Sequence, residues 1–176
     1  MLDVPADSRL VITTGRLRLD PLTAADATEL HPVLADPSLY TFIGGQPPTL
    51  TELTKRFAQW ERRRSPAGNQ LWLNWVVRVA PDNCAVGYVQ ATIDADDVAE
   101  VAYVVGSAWS GKGIATEATG AMCARLWQMG IRVVRAHVHP SHAASEAVAR
   151  RVGLCQTGEL DGDGEQLWEL NRPGSR

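Results

Sequence analysis

Three strand-like segments joined by very short connections restrict the fold of this chain more than any other feature. The segments cover residues 71–80, 84–93 and 98–105 and are rich in Val, Trp and other apolar residues. Their connections read Pro-Asp-Asn and Asp-Ala-Asp-Asp, which are typical turn sequences. Parallel neighbours need a crossover of about a dozen residues or more, so these connections predict an antiparallel meander.

The second half of the chain has a different apolar period. Apolar residues recur three or four positions apart over residues 114–129, which predicts a helix ended by Gly130. A strand is predicted at 133–138, and a strand, a long helix and a further strand form the arrangement in which a parallel crossover fits. A short helix and two strands at 154–159 and 166–170 complete the chain.

The first part of the chain adds a strand and two helices. Residues 16–20 alternate polar and apolar side chains, which indicates a half-buried strand. Thr23 with Asp26, and Thr49 with Glu52, have the spacing of capping boxes at helix N-termini. We therefore predict a mixed α/β fold of the α+β type, with an antiparallel front and a parallel strand pair behind it.

Length and charge limit the domain organisation and the partners. The chain has 176 residues, which suits one domain, and we place it at 13–170 between a loose arm at 1–12 and a tail at 171–176. Seventeen basic and 20 acidic residues give a net charge of −3, which argues against a nucleic-acid partner. Apolar runs are too short for a membrane span, and the first residues lack the features of a signal peptide, so we expect a cytoplasmic protein without a membrane partner.

The cysteine and histidine spacings argue against a metal site. The three cysteines form no CxxC pair, so neither a disulfide framework nor a four-cysteine zinc site is expected. His137 and His139 have the i, i+2 spacing of metal ligands on one face of a strand, but no third ligand is evident. We therefore expect no metal.

A glycine-containing segment between a strand and a helix, residues 110–116, is the best candidate for a binding site; we call it the glycine loop. The first four N–H groups of a helix have no partner inside it, and their partial positive charge suits a phosphate. Gly111 and Gly113 allow a ligand to approach the backbone closely, and Lys112 adds a positive charge. The alternative interpretation is a loop that merely turns into a helix.

The same segment is close to a nucleotide-binding motif but does not match it. Residues 106–113 read G-x-x-x-x-G-K-G, and Gly113 stands where a Walker loop has the Ser or Thr whose hydroxyl binds Mg²⁺. A Walker loop also follows a strand of a parallel sheet, whereas this strand ends a meander. No later apolar strand ends in the Asp that such an enzyme needs, so a nucleotide triphosphatase is disfavoured.

Three sequence elements together resemble the GNAT acetyltransferase superfamily, in its RimJ/RimL-like branch of ribosomal-protein N-acetyltransferases. Residues 109–118, WSGKGIATEA, resemble the pattern W-x-G-K-G-x-A-T-E-A. Residues 136–145, followed by 152–154, resemble A-x-V-x-P-x-N-x-A-S and G-F, and 14–19 is a typical opening. The resemblance covers residues 13–170. It implies a mostly antiparallel sheet of about seven strands flanked by helices, with a central splayed parallel strand pair.

The resemblance also implies a co-substrate, acetyl-coenzyme A, and no metal. Amides of the glycine loop would hold the pyrophosphate, and the pantetheine arm would lie between the diverging strands 98–105 and 133–138. His142 stands where the family has Asn, which alters one expected contact with the cofactor. The implied cofactor-binding residues are Tyr103, Val104, Val105, Ser110, Gly111, Lys112, Gly113, Ile114, Ala115, Thr116 and His142.

The implied reaction is direct attack of a primary amine on the thioester in a ternary complex. Amines are mostly protonated at pH 7, so a base is needed. Glu100 is the candidate base, directly or through water, and Ser145 the candidate proton donor to the leaving thiolate; an ordinary solvated carboxylate is the alternative for Glu100. The acceptor would be a protein N-terminus or a small amine, selected by two predicted loops: residues 40–48, which start with an aromatic side chain, and residues 161–164. A homodimer is possible, and a non-catalytic coenzyme A-binding sensor is the alternative function.

Overall fold

An eight-stranded sheet forms the centre of the part of the chain that the structure describes, residues 10–174 of a computed structural model. In chain order the strands are β1 (Ile12–Thr13), β2 (Leu17–Pro21), β3 (Leu71–Val79), β4 (Cys84–Ile93), β5 (Val98–Val105), β6 (Val133–Val138), β7 (Cys155–Leu160) and β8 (Gln166–Asn171). Their order across the sheet is β1-β2-β3-β4-β5-β6-β8-β7. Neighbouring strands are antiparallel except β5 and β6, which are parallel. The predicted mixed fold is confirmed, with a two-residue β1 as the additional strand.

The meander predicted over β3, β4 and β5 is present. Strands β4, β5 and β6 begin and end at the predicted residues. Asn83 and Asp97, in the two connections of the meander, have φ angles of 55° and 59°, in the left-handed region that tight turns use. The Asp94 carboxylate closes the second connection by accepting the backbone N–H groups of Asp96 and Val98 at 2.9 and 3.0 Å. Turn residues therefore set the pairing of these strands.

Five α-helices accompany the sheet within residues 10–174. They are α1 (Ala27–Leu34), α2 (Tyr40–Ile43), α3 (Leu50–Glu61), α4 (Ile114–Gln128) and α5 (Ala143–Arg151). The predicted capping box at the start of α3 is confirmed, since the Thr49 N–H donates to Glu52 Oε2 at 2.8 Å. The segment 40–48, expected as a loop, begins instead with the short helix α2. The Tyr40 hydroxyl donates to the Leu34 carbonyl at 2.9 Å and ties this turn to the end of α1.

The two faces of the sheet are covered by different helices. Helix α4 lies on one face, where Met122 belongs to the larger core cluster together with Val101 of β5. Helices α1 and α3 lie on the other face and form a smaller core around Phe57. Because successive strand side chains point to opposite faces, Glu100 and Ala102 lie on the face of α1 and α3. None of the helices in the described part of the chain is long and apolar enough to cross a bilayer.

The end of the predicted N-terminal arm is part of the core. Residues 1–9 of the arm lie outside the described residues, but Leu10 and Ile12 are buried. The buried indole N–H of Trp75 donates to the Leu10 carbonyl at 2.8 Å. At the other end Asn171, assigned to the tail, is the last residue of β8. Apolar contact and strand pairing therefore extend the packed region beyond the predicted start of the domain at residue 13.

The parallel strands β5 and β6 separate after three paired positions, and the gap between them positions the site. Strands β5 and β6 pair at Val98–Val133, Ala99–Val134 and Glu100–Arg135, and their pairing stops there. Strand β6 continues instead along β8 as far as its own last residue. Residues 101–105 of β5 thus have an edge without a strand partner among residues 10–174. The predicted splayed parallel pair is confirmed.

Candidate active site

A cavity of about 450 Å³ lies between the open edge of β5, the glycine loop and α5. It contains most of the cofactor-binding residues that the sequence predicts. Those on its wall are Tyr103, Val104, Val105, Ser110, Gly111, Gly113, Ile114, Ala115, Thr116 and His142, joined by Ser145. The sequence analysis did not place Ser38, Leu39, Phe42, Ile43 or Ser107 there. The only indication in the sequence for this part of the wall is the aromatic residue at the start of segment 40–48.

The backbone of the glycine loop carries the predicted free donors. Gly111 and Gly113 have φ angles of 73° and 74°, which favour glycine because a Cβ is strained there. No backbone N–H from Gly111 to Thr116 donates a hydrogen bond to another described residue. Ser110 is a correction, since its N–H already donates to the Ser107 carbonyl at 3.0 Å. Its amide is not among the free donors, although Ser110 lines the cavity.

The glycine loop is fixed from outside by the chain's opening segment. The Arg16 side chain donates to the Lys112 carbonyl at 2.8 Å and to Glu117 in the first turn of α4 at 2.6 Å. The Thr14 hydroxyl donates to the other Glu117 oxygen at 2.6 Å. Burial alone would raise the pKa of Glu117, but these hydrogen bonds and the Arg16 charge hold it below its usual value. We call this set of contacts the clamp. Arg16 and Glu117 are 101 positions apart in the chain, so no local sequence pattern predicts it.

The charge of Lys112 lies against Trp109, a residue of the cavity wall. Its ammonium lies 4.8 Å from the centroid of the Trp109 ring, a cation–π distance. The side chain is not among the groups that line the cavity. Among the residues of the glycine loop, Lys112 is therefore the one whose charged side chain does not line the cavity.

Two hydroxyl groups meet at the inner end of the cavity. The Tyr103 hydroxyl lies 2.9 Å from the Ser145 hydroxyl and 2.9 Å from the Ser145 carbonyl, to which it donates. Burial raises the pKa of Tyr103, so its phenol stays protonated at neutral pH. The sequence predicted Ser145 as a proton donor but assigned Tyr103 only to cofactor binding. The structure places both hydroxyls together.

His142 forms part of the same wall through its ring. Its imidazole stacks on Phe42 of α2 with ring centroids 4.4 Å apart and an interplanar angle of 16°. Burial, and then the nearby His139, lower the pKa of His142, which favours the neutral imidazole. A neutral ring stacked on an aromatic side chain replaces the amide that the sequence pattern would have there.

A second, smaller cavity of about 70 Å³ adjoins the first and shares lining residues with it. Both hydroxyl-bearing residues line the two cavities, as do Phe42 and His142. The smaller one adds titratable side chains from β6, from the residue directly after β6 and from the β7–β8 connection. These are His137, His139 and Glu165. The two cavities together form one cleft through the opening between β5 and β6.

The structure does not bring Glu100 into this cleft. Glu100 is exposed and lies level with Arg135, the last paired position of the parallel strands. It does not line either cavity, although its neighbours Val101 and Ala102 line the smaller one. Its assignment as the base stays a prediction.

A histidine and two acidic residues meet beside the smaller cavity. His137, Asp161 and Glu165 have nitrogen and carboxylate oxygen atoms within 4.8 Å of one another. His137 Nδ1 already contacts Asp161 Oδ2 at 2.9 Å, so these two side chains are partners rather than free ligands. Sequence reasoning missed the group because the acidic residues come from the β7–β8 connection, more than 20 positions beyond His137.

The chain matches the family model described as Acetyltransferase (GNAT) domain over residues 16–154. It therefore belongs to the GNAT acetyltransferase family, whose enzymes use acetyl-coenzyme A as a co-substrate, and we identify it as an acyltransferase. No curated protein sequence matches the chain.

Solved structures of acetyltransferases share the fold at low sequence identity. A GNAT family acetyltransferase from Bacillus anthracis is 18% identical, with a TM-score of 0.77 over 92% of this chain and 98% of that one. The aminoglycoside acetyltransferase AAC(6')-Ib, solved with coenzyme A, is 16% identical, with a TM-score of 0.74 over 89% and 95%. A Vibrio cholerae protein proposed to be a ribosomal-protein-serine acetyltransferase is 18% identical, with a TM-score of 0.68 over 92% and 97%.

Proposed function

We propose that this chain is an N-acetyltransferase that moves the acetyl group of acetyl-coenzyme A to a primary amine by direct attack in a ternary complex. The observation that carries the proposal is the row of backbone N–H groups from Gly111 to Thr116 without a described partner, beside a cavity that leads into the opening between β5 and β6. Such donors at a helix N-terminus suit a pyrophosphate. The open edge of β5 suits the amide groups of an extended pantetheine arm.

The inner end of the cleft supplies a proton for the leaving thiolate. A thioester at the end of the arm would lie near Tyr103 and Ser145, whose hydroxyls contact each other at 2.9 Å. The Ser145 hydroxyl donates to the sulfur as the C–S bond breaks, and the Tyr103 hydroxyl supports it through their shared hydrogen bond. Glu100 remains the base predicted from the sequence.

The smaller cavity is the proposed acceptor site. It shares Tyr103 and Ser145 with the larger cavity, and Glu165 on its wall suits the positive charge of an amine. A protein N-terminus, as the RimJ/RimL-like motifs indicate, and a small polyamine or aminoglycoside are the two acceptor classes. AAC(6')-Ib, whose fold is similar, acts on aminoglycosides. Residence in the cytoplasm and a homodimer are further predictions.

The test is a thiol-release assay with acetyl-coenzyme A and a panel of amines. Peptides with free N-termini, an aminoglycoside and a polyamine are compared with the same peptides carrying a blocked N-terminus. We expect thiol release above the hydrolysis rate for a free amine, together with an acetylated product detected by mass spectrometry, and background rates for blocked peptides.

Calorimetry with coenzyme A separates the enzyme from the alternative function. Coenzyme binding without turnover on any amine favours a non-catalytic sensor. Absence of both binding and turnover contradicts the proposal altogether. Light scattering of the same sample tests the homodimer.

A further inference from the structure

Acetyl transfer to a protonated amine needs a base close to the acceptor nitrogen. Glu100 lies at the last position where β5 and β6 are still paired, level with Arg135. The cleft opens beyond that point, and the Glu100 side chain lines neither cavity. A base in direct contact with the acceptor nitrogen is therefore expected further along the diverging strands.

His137 occupies that position. It follows Arg135 by two residues on β6, so its side chain is the next one on the same face of the sheet, just past the end of pairing. The corresponding position of β5 is Ala102, whose small side chain leaves the opening free. Both residues line the smaller cavity, together with Tyr103 and Ser145.

The β7–β8 connection holds the His137 ring in place. His137 Nδ1 is buried and lies 2.9 Å from Asp161 Oδ2. This distance is short enough for an ion pair, but the two groups are not aligned as a hydrogen bond requires. Asp161 is itself fixed, because its Oδ1 accepts the backbone N–H groups of Asp163 and Glu165, both at 2.9 Å. The pKa of Asp161 lies below its usual value, mainly because its carboxylate accepts the backbone N–H of Glu165. The nearby His137 lowers it further. A catalytic imidazole is often oriented by a carboxylate at Nδ1, with imperfect alignment before the substrate binds.

We propose that His137 is the general base of this enzyme and that Asp161 is its positioning residue, an assignment that rests on the proposed acetyl transfer. His137 Nε2 takes the proton that the acceptor ammonium must lose. The amine nitrogen attacks the thioester carbonyl carbon, so that a C–N bond forms and the C–S bond breaks. The nitrogen gives up a second proton as the amide forms, and this proton replaces the one that Ser145 gives to the sulfur. His137 passes the first proton to solvent, so one proton is released overall. Histidine suits this step because the imidazole nitrogen that carries no hydrogen can accept a proton from the acceptor.

The charges around His137 favour a cationic acceptor. The titratable groups on the surrounding elements are Asp161, Glu165, Glu100, Glu169, Arg135, His139 and His142. Arg135 pairs with Glu169 at 2.9 Å, so these two charges offset each other. Two carboxylates, those of Asp161 and Glu165, lie beside the imidazole and attract an ammonium group towards the base.

The test compares His137→Gln, Asp161→Asn and Glu100→Gln with His31→Gln on α1, a matched control away from both cavities. Rates of thiol release are measured from pH 6 to 10, and coenzyme A affinity by calorimetry. We expect His137→Gln to lower kcat at neutral pH by about 100-fold, the usual contribution of a general base, with coenzyme affinity unchanged. The deficit shrinks in alkali, because the acceptor loses its proton unaided. Asp161→Asn shows a smaller loss with the same pH dependence, and His31→Gln behaves as the wild type.

Several outcomes would overturn the assignment. A larger loss in Glu100→Gln with normal turnover in His137→Gln makes Glu100 the base. A His137→Gln deficit that is equal at all pH values, or that appears in coenzyme affinity, indicates a structural role; His137→Asn repeats this test with a shorter side chain. If a chelator abolishes turnover by the wild type and zinc restores it, His137, Asp161 and Glu165 form a metal site instead. Failure of the wild type to acetylate any amine overturns the acetyl transfer itself, whereas wild-type turnover with an unimpaired His137→Gln overturns only this assignment.

Discussion

The two cavities of the cleft differ in the kind of atom that they offer to a ligand. The larger cavity presents backbone N–H groups of the glycine loop and mostly apolar side chains. The smaller cavity presents titratable side chains, among them His137 and Glu165. Backbone donors bind a phosphate whatever the neighbouring side chains are, whereas proton transfer depends on particular groups. The larger cavity is thus suited to a constant co-substrate and the smaller one to chemistry and acceptor choice.

Among the variants that test this difference between the cavities, we expect the largest effect when the Ser145 hydroxyl is removed. Ser145→Ala removes the proposed donor to sulfur, so we expect kcat to fall by about 10- to 100-fold, in the range of acid–base contributions. Coenzyme A affinity, measured by calorimetry, should stay close to that of the wild type. Tyr103→Phe is the companion variant, because it keeps the ring and removes only the hydroxyl that contacts Ser145 at 2.9 Å. A Ser145→Ala protein with normal kcat would contradict a role of this hydroxyl in turnover.

Distorting the glycine loop should impair binding instead of chemistry. Gly113 has a φ of 74°, where a Cβ costs about 1–2 kcal/mol. Gly113→Ala should weaken coenzyme A binding by about tenfold, since 1.4 kcal/mol corresponds to that factor. Gly130→Ala is the matched control: Gly130 has a φ of 94° beyond the other end of α4, away from the cavity. Equal coenzyme affinities of the two variants would show that the loop backbone does not hold the phosphates.

Breaking the clamp behind the loop should have a smaller, pH-dependent effect on stability. The pKa of Glu117 is lowered in the folded chain, so its contribution is present above the unfolded value of about 4.3 and is lost as the pH falls through the folded value. Glu117→Gln should therefore reduce the free energy of unfolding at pH 7 by less than about 1 kcal/mol. Urea unfolding should show that this difference shrinks below about pH 4. Glu159→Gln, at an exposed position of β7, is the control. If the difference in unfolding free energy between Glu117→Gln and the wild type grows as the pH falls, Glu117 does not stabilise the fold through the clamp.

Removing the Lys112 charge should have the smallest effect. Its ammonium contacts the Trp109 ring, and the side chain does not line the larger cavity. An exposed cation–π contact contributes about 0.5–1 kcal/mol, so Lys112→Ala should weaken coenzyme A binding by less than about fivefold. A calorimetric loss larger than that of Gly113→Ala would mean that charge, rather than backbone donors, dominates the larger cavity.

Sequence reasoning located the larger cavity better than the smaller one. The glycine loop is contiguous, and its glycines and helix start are local signals. The structure places most of the residues predicted from them on one cavity wall. The exceptions are the Ser110 amide, which Ser107 already uses, and the orientation of Lys112. The smaller cavity combines side chains from separate elements. Its His137–Asp161 contact depends on how the β7–β8 connection folds over β6, which no local pattern encodes.

The amino-acid sequence alone determined the meander, the single parallel crossover and the glycine loop. Turn residues, apolar period and connection length act within a few residues of one another, so these features can be derived without coordinates. Only the tertiary structure decided where β5 and β6 part, after Glu100 and Arg135, and which side chains meet beyond that point. It also decided the contact between Arg16 and Glu117, 101 positions apart in the chain. Such contacts depend on strand register and on helix packing, in which small shifts exchange one neighbour for another.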